Sequence, residues 1–432
     1  MDNLFKTDGI RGLSQIELTP LLFHKLGIYL ALNSNLPIGL GYDTRESSIL
    51  YKNIISTTIN SLGKDVYDFG IVTTPCLNYL SKELHCEYGV MITASHNPYQ
   101  YNGIKIFDNN GKKIDIFLQE EISNFIKTFK SVKFYPKSIG KTFDKHKDVN
   151  NYINFIISKF NFIKILNKEI ILDASNGSGS LIFKNIIEKL GFNNFISKND
   201  CPNGQNINKD CGSTYLENDK NKEKRLILAL DGDGDRFIGS YNSYKIDGEI
   251  LCYLLINLYN DKFKNGIVST PLTNRKIVQA ITKEGIPYYE SKVGDSNVFD
   301  LMIKKHCKFG FEASGHLLFS SYSDGILSSL IFLSLLEKDE NKIKKLLKDL
   351  KLNHFKQLNY SLKNTDEFIF NITHSDIYKS LISYIKPGGR ILFRKSGTED
   401  LCRIILESRS KKAIKKVQKE IEKYIEDKRC VE

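Results

Sequence analysis

Short apolar runs recur along this chain, at Pro37–Gly41, Val66–Phe69, Gly89–Thr93, Glu169–Leu172, Leu226–Leu230, Gly266–Ser269 and Arg390–Phe393, with amphipathic helical stretches between many of them. Runs of that length read as strands, and strands alternating with helices predict an α/β fold with mixed or mainly parallel sheets. In open sheets of this kind ligands gather beyond the carboxyl ends of strands, so the loops that follow strand candidates matter most. A chain of 432 residues exceeds one ordinary core and suggests two to four domains. Polar breaks near 140–150, 240–248 and 352–362 divide it into 1–145, 146–243, 244–356 and a smallest part, 357–432. An internal echo, Gly70-Ile71-Val72-Thr73-Thr74-Pro75 against Gly266-Ile267-Val268-Ser269-Thr270-Pro271, hints that the first and third parts are alike.

Composition narrows the class. The longest apolar stretch, Ile326 to Leu336, falls well short of the ~20 residues of a membrane span and reads as a buried helix. The N-terminus, Met1-Asp2-Asn3-Leu4-Phe5-Lys6, has neither the basic nor the apolar segment of a secretory signal, so a cytoplasmic protein without membrane attachment is expected. Eight scattered cysteines form no Cys-x-x-Cys pair and read as reduced and structural. The net charge of +12 comes from Lys spread along the chain. Its basic runs, 342–348 and 411–423, carry apolar residues at helical spacing, which makes them solvated faces of helices rather than nucleic-acid patches.

Four loops carry chemistry. Thr93-Ala94-Ser95-His96-Asn97-Pro98 suits a tight turn presenting a hydroxyl, with His96 and Lys105 able to hold an anion or move a proton, although alone it also reads as an ordinary Ser/Asn turn. No Gly-x-Ser-x-Gly elbow surrounds Ser95. Asp231-Gly232-Asp233-Gly234-Asp235-Arg236 places three carboxylates where glycine lets the backbone fold round one hard cation. A calcium EF-hand fails on Arg236 and Asn242, where glycine and glutamate belong. Phe311-Glu312-Ala313-Ser314-Gly315-His316 offers groups that suit vicinal sugar hydroxyls. Arg394-Lys395-Ser396-Gly397-Thr398-Glu399 reads as a cradle for a phosphate that is bound but not cleaved. Walker and Rossmann loops are absent: Tyr135 and Ile182 stand where their glycines belong.

In this order and at these separations the four loops resemble the phosphoserine, metal, sugar and phosphate loops of the α-D-phosphohexomutase superfamily. Thr7-Asp8-Gly9-Ile10-Arg11-Gly12 and Asp43-Thr44-Arg45 match segments typical of its first domain. Asn206-Ile207-Asn208, Cys211-Gly212-Ser213-Thr214 and the 394–399 loop look like its amino-sugar branch, whose substrates are glucosamine phosphates, rather than the branch acting on mannose or glucose phosphates. The departures are Lys6, Phe311 and Asp400, where glycine, glycine and proline are usual, and Ala313, where glutamine is usual.

The resemblance implies three similar α/β domains with mixed sheets and a smaller C-terminal α+β domain around a central cleft. It implies a phosphoryl group carried on Ser95 and one Mg2+ held by phosphorylated Ser95, Asp231, Asp233 and Asp235. It implies Lys105 as the proton-transferring group, Arg11 and His96 for charge stabilisation, and His316 as a second acid or base. Arg236, Glu312, Ser314 and His316 would bind the sugar phosphate, and Arg394, Ser396, Gly397 and Thr398 the phosphate that is not reacting. The enzyme would be an isomerase primed by a hexose 1,6-bisphosphate or by a kinase, working as a monomer or homodimer on a sugar phosphate, with no nucleic acid as partner. A non-catalytic sugar-phosphate-binding relative is the alternative from another class.

Overall fold

The computed structural model describes residues 4–6, 8–131, 136, 138–160, 168–218, 225–319, 322–362, 364–385, 387–395 and 401–429. Four sheets follow one another along the chain. The first contains β1 (Ile10–Leu13), β2 (Ile38–Tyr42), β3 (Val66–Ile71), β4 (Tyr88–Ile92), β5 (Tyr101–Asp108) and β6 (Thr142–Asp144), in the order β1-β5-β4-β2-β3-β6. The second contains β7 (Ile170–Asp173), β8 (Phe195–Lys198), β9 (Leu226–Leu230), β10 (Phe237–Tyr241) and β11 (Tyr244–Ile246), ordered β11-β10-β9-β7-β8. The third, β13-β12-β14-β15, uses β12 (Ile267–Ser269), β13 (Tyr288–Glu290), β14 (Gly310–Phe311) and β15 (Leu317–Leu318). The fourth is antiparallel, β16-β18-β17, from β16 (His354–Tyr360), β17 (Arg390–Lys395) and β18 (Cys402–Ser408).

The first three sheets share a plan. Each has a parallel core, continued on one side by antiparallel strands: β4 to β5 and β1, β9 to β10 and β11, β14 to β15. The central strands β4, β7, β9 and β12 are almost wholly buried, as strands covered on two sides are, and Leu226–Leu230 runs so into its acidic loop. All four chemical loops fall between antiparallel partners: β4 and β5, β9 and β10, β14 and β15, β17 and β18.

One apolar cluster joins the first three sheets, running from Phe69 and Leu77 through Tyr152, Phe183 and Leu228 to Phe311, Leu330 and Leu347. Its centre is helix Gly325–Asp349, capped by Asp324, whose side chain accepts from Leu327 N–H; the apolar stretch from Ile326 to Leu336 is buried there. The fourth sheet has a core of its own, drawn from residues 358–425, that includes Ile404, Leu406, Val417 and Ile421. The basic runs lie on helices Gly325–Asp349 and Lys411–Arg429, with Ile343, Ile414, Val417, Ile421 and Ile425 buried beneath them. No helix among the described residues is long and apolar enough to cross a membrane.

Candidate active site

Ser95 follows β4, is fully buried, and has φ +52°, a left-handed conformation that a non-glycine residue adopts only when its surroundings impose it. They do so through hydrogen bonds. Ser95 N–H donates to Thr93 Oγ1 at 2.9 Å, and Thr93 Oγ1 donates to Asp43 Oδ2 at 2.7 Å. Asp43 is ion-paired to Arg45 at 2.9 Å, and the buried Arg45 guanidinium donates to the carbonyls of Ser95, Asn97, Pro98 and Tyr101. From the second sheet's side Asn208 Nδ2 donates to the carbonyls of Ser95 and Asn97 at 2.9 and 3.1 Å, so the Asn206–Asn208 segment backs the serine loop.

Ser95 Oγ donates to Asp231 Oδ2 at 2.7 Å, which joins the serine loop to the acidic one. Four successive carbonyls of that acidic loop are taken by other segments. Gly232 O accepts from Ser178 N–H, Asp233 O from Thr74 N–H, Gly234 O from Gly325 N–H and Asp235 O from Ser323 Oγ. Gly325 can stand there because it lacks a Cβ, which would lie 2.4 Å from Arg236 O. The loop is thereby shaped by all three of the first sheets' units.

The ligand atoms of Asp231, Asp233 and Asp235 lie within 4.8 Å of one another, all buried. Burial, reinforced by Asp235 and Asp233, pushes the Asp231 carboxyl up to about 7. Lys105 Nζ partly offsets the cluster, 2.8 Å from Asp233 Oδ2, 2.7 Å from Asp235 Oδ2 and 3.2 Å from Asp8 Oδ2. Among the described residues no hydrogen bond or ion pair reaches Asp233 Oδ1. An orphaned buried oxygen on Asp233, in a triad crowded enough that Asp231 resists ionisation, fits a divalent cation with hard oxygen ligands.

The expected acid–base groups come together here, in states the chain alone does not reveal. Burial opposes the charge on Lys105, yet Asp233, Asp235 and Asp8 hold its ammonium well above the usual range, so it stands as a proton donor. Arg236, burial and Arg11 push His96 down to about 2, so in this arrangement its imidazole is neutral. Arg11 and Arg236 are the positive charges beside it. Arg11 is paired with Asp8, which also holds Lys113, and Lys113 reaches Asp295 of the third unit at 2.8 Å.

His316 stands between carboxylates, with Nδ1 3.0 Å from Glu312 Oε2 and Nε2 3.3 Å from Asp235 Oδ1. Burial and Arg236 oppose its charge, but Asp235 and Glu312 prevail and push it up to about 10. Arg236 Nε lies 3.2 Å from the ring, a like-charge neighbour that a bound anion relieves. Glu312 Oε1 accepts Gly294 N–H at 2.9 Å. Arg11, His96, Arg236, Glu312, Ser314 and His316 line one cleft of about 520 Å³. Of the departures, Phe311 is buried in β14, whereas Lys6 and Ala313 line the cleft.

Arg394 reaches the same cleft from β17. Ser396, Gly397, Thr398 and Asp400 lie outside the described residues. Sequence reasoning missed Arg403, which lines the cleft and stands directly opposite Arg394 in the β17–β18 register. Burial and then Arg403 lower the Arg394 pKa, and like charges placed opposite one another in a sheet are costly unless an anion lies between them.

Models of the phosphoglucomutase/phosphomannomutase family match the chain: alpha/beta/alpha domain I at residues 2–133, alpha/beta/alpha domain III at 247–352 and the C-terminal domain at 344–423. The fold and the loops are those of the phosphohexomutases. Phosphoglucosamine mutase of Aliarcobacter butzleri is 35% identical to this chain, over 95% of it and 96% of that protein. The phosphoglucosamine mutase of Acetivibrio thermocellus is 31% identical over 99% of each. The chain belongs to the phosphoglucosamine mutase family of these enzymes. Solved structures share the fold: a phosphoglucomutase/phosphomannomutase family protein of Burkholderia thailandensis has a TM-score of 0.79 at 19% identity, covering 98% of this chain and 96% of that one. N-acetylphosphoglucosamine mutase of Aspergillus fumigatus, in complex with GlcNAc-6P and magnesium, has a TM-score of 0.71 at 16% identity, covering 98% and 95%.

Proposed function

We propose that the chain interconverts glucosamine 6-phosphate and glucosamine 1-phosphate in the cytoplasm, through a phosphoryl group carried on Ser95 and a 1,6-bisphosphate intermediate, supplying amino-sugar precursors of the cell wall. The observation that carries this is the 2.7 Å bond from the buried Ser95 hydroxyl to Asp231, within a buried carboxylate triad in which Asp233 Oδ1 has no partner among the described residues. Asp231, Asp233 and Asp235 would hold Mg2+, which when bound draws charge from the phosphoryl group and eases departure of the serine oxygen.

The chain's own residues do the rest. The departing Ser95 oxygen needs a proton and the attacking sugar hydroxyl loses one; Lys105 supplies the first as an ammonium and is left as the amine that takes the second. His316, held charged by two carboxylates, is the second donor. Glu312 and Ser314 hold sugar hydroxyls. Arg394 and Arg403, with Ser396, Gly397 and Thr398, hold the phosphate that is not reacting, by contacts indifferent to which end of the sugar bears it, so the bisphosphate can turn over and return a phosphoryl group to Ser95. Four domains, 1–145, 146–243, 244–356 and 357–432, would enclose the cleft and exclude water.

The test is to incubate the purified protein with Mg2+ and a trace of hexose bisphosphate, offer glucosamine, glucose and mannose phosphates separately, and compare isomerisation rates. The glucosamine phosphates should turn over fastest, and intact mass should show one added phosphoryl group on the protein. Faster turnover of mannose or glucose phosphates overturns the substrate assignment. Release of free phosphate without isomer formation overturns the mutase reading.

A further inference from the structure

Some of the acidic loop's outside supports reach its backbone and others its carboxylates; Thr74 reaches both on one residue, Asp233. Thr74, the first residue of helix Thr74–Glu83, is buried at 2% exposure on the first unit. Its N–H donates to Asp233 O at 2.9 Å, and its Oγ1 donates to Asp233 Oδ2 at 2.6 Å. That oxygen also faces Lys105 Nζ at 2.8 Å, while Oδ1 accepts no hydrogen bond from the described residues.

Lysine alone does not fix this orientation. The terminal torsion of an aspartate is broad and roughly two-fold, and an ammonium is a compact charge that attracts either oxygen. Lys105 moreover serves Asp235 and Asp8 at the same time. A hydroxyl anchored in the first turn of a helix is directional. Thr73 caps that turn by accepting Cys76 N–H at 3.3 Å, and Gly234, at φ +71°, lets the acidic loop lie against it, since a Cβ there would meet Thr73 Cγ2 at 2.7 Å. The echoing turn of the third unit is an internal control: Thr270 is as buried, yet its hydroxyl accepts Leu272 N–H at 3.4 Å. The contact with Asp233 therefore does not come with the turn itself.

We propose that Thr74 is a positioning residue for the metal: its hydroxyl holds Asp233 with Oδ1 turned into the triad, so that the cation affinity of the second unit's loop is set by a residue of the first. This rests on the reading of Asp231, Asp233 and Asp235 as a Mg2+ site. Titration calorimetry of MgCl2, and separately MnCl2, into the full-length protein tests it, with Thr74→Val, Thr74→Ala, Thr74→Ser and Asp233→Asn alongside. Loss of such a supporting hydrogen bond costs about 10–100-fold in metal affinity, and that is the weakening expected for both Thr74→Val and Thr74→Ala. Thr74→Ser, which keeps the hydroxyl, should bind nearly as the parent does. Parental affinity in either hydroxyl-free variant, with a metal-free melting temperature close to the parent's, overturns the proposal. So does an equal loss in Thr74→Ser, which would make the effect one of shape. If the parent binds neither cation, or Asp233→Asn binds as tightly, the metal site itself is what fails.

Discussion

Two junctions in this molecule are built on opposite plans. Where the first unit meets the second, contacts are many and small: Thr74 and Ser95 on the acidic loop, Asn208 on the serine loop, and Thr44 Oγ1 on Asn176 O at 2.6 Å. An apolar cluster shared with the third unit continues beneath them. Where the third unit meets the fourth, much hangs on Glu407. This fully buried carboxylate accepts Arg275 N–H at 2.7 Å and Asn353 Nδ2 at 2.9 Å, and pairs with Arg390 at 2.9 Å, whose Nη2 donates to Thr273 O. The fourth sheet's apolar core draws on no residue before 358. The lesson is that Ser95 and the triad sit in a continuous, over-determined block, while Arg394 and Arg403 ride on a unit with its own core, joined through a polar contact that would serve as a pivot.

The comparison can be broken from either side. On the rigid side, Ser95→Ala should lower isomerisation by roughly 10³-fold or more while leaving the melting temperature near the parent's; full activity would end the phosphoserine reading. On the pivoting side, Arg403→Ala removes charge-assisted bonds to phosphate of about 1.5–3 kcal/mol each, so steady-state kinetics should show kcat/KM falling at least tenfold, mainly through KM. An unchanged KM would remove Arg403 from the site. Glu407→Ala leaves the Arg390 guanidinium without its carboxylate at a cost of about 1–3 kcal/mol, and hydrogen exchange should rise across residues 354–429 but not in the first three units. A rise spread evenly over the chain would show that the pivot is no separate element.

The smallest expected effect concerns Glu249, whose Oε1 accepts Asn274 N–H at 2.6 Å beside the pivot. Burial, then Asp247, pushes its carboxyl up to about 8. A carboxyl raised above its unfolded value, about 4.3, contributes stability that is complete below that value and lost as pH rises through about 8. Between pH 6 and 9 the parent's melting temperature should therefore fall further than that of Glu249→Gln, by about 2–4 °C. Parallel curves would count against a buried neutral Glu249.

What the chain alone disclosed was the set of strands that end in loops. Glycine between aspartates, or small residues before Ser95, are local signals, and β9 begins and ends where its apolar run does. Contacts set by register and packing were hidden. Arg403 is the one partly exposed residue of the otherwise buried strand Cys402–Ser408, and it comes to oppose Arg394 at the cleft only once β17 pairs with β18. Arg45 belonged to a recognisable Asp43-Thr44-Arg45 segment, but four carbonyls around its guanidinium are a property of the folded loop. The echo around Thr74 and Thr270 was visible as a repeat. Its differing uses depend on a partner far along the chain, Asp233 in one case and none of that kind in the other. The opposite pKa shifts of His96, down, and His316, up, were hidden for the same reason: they depend on which side chains surround each.

The opposed pair Arg394 and Arg403 has a consequence for timing. On the proposed reading, in which the fourth unit closes over the cleft, bringing these two like charges out of water would work against closing. A phosphate held by both would outweigh their repulsion and offset, rather than abolish, the desolvation cost. Cargo would thus be sensed electrostatically: arrival of a doubly negative group would favour shutting, and an enzyme without it would stand open. Water would then meet a phosphorylated Ser95 chiefly when no sugar is bound, so the lifetime of the primed enzyme should lengthen whenever the arginine pair is occupied.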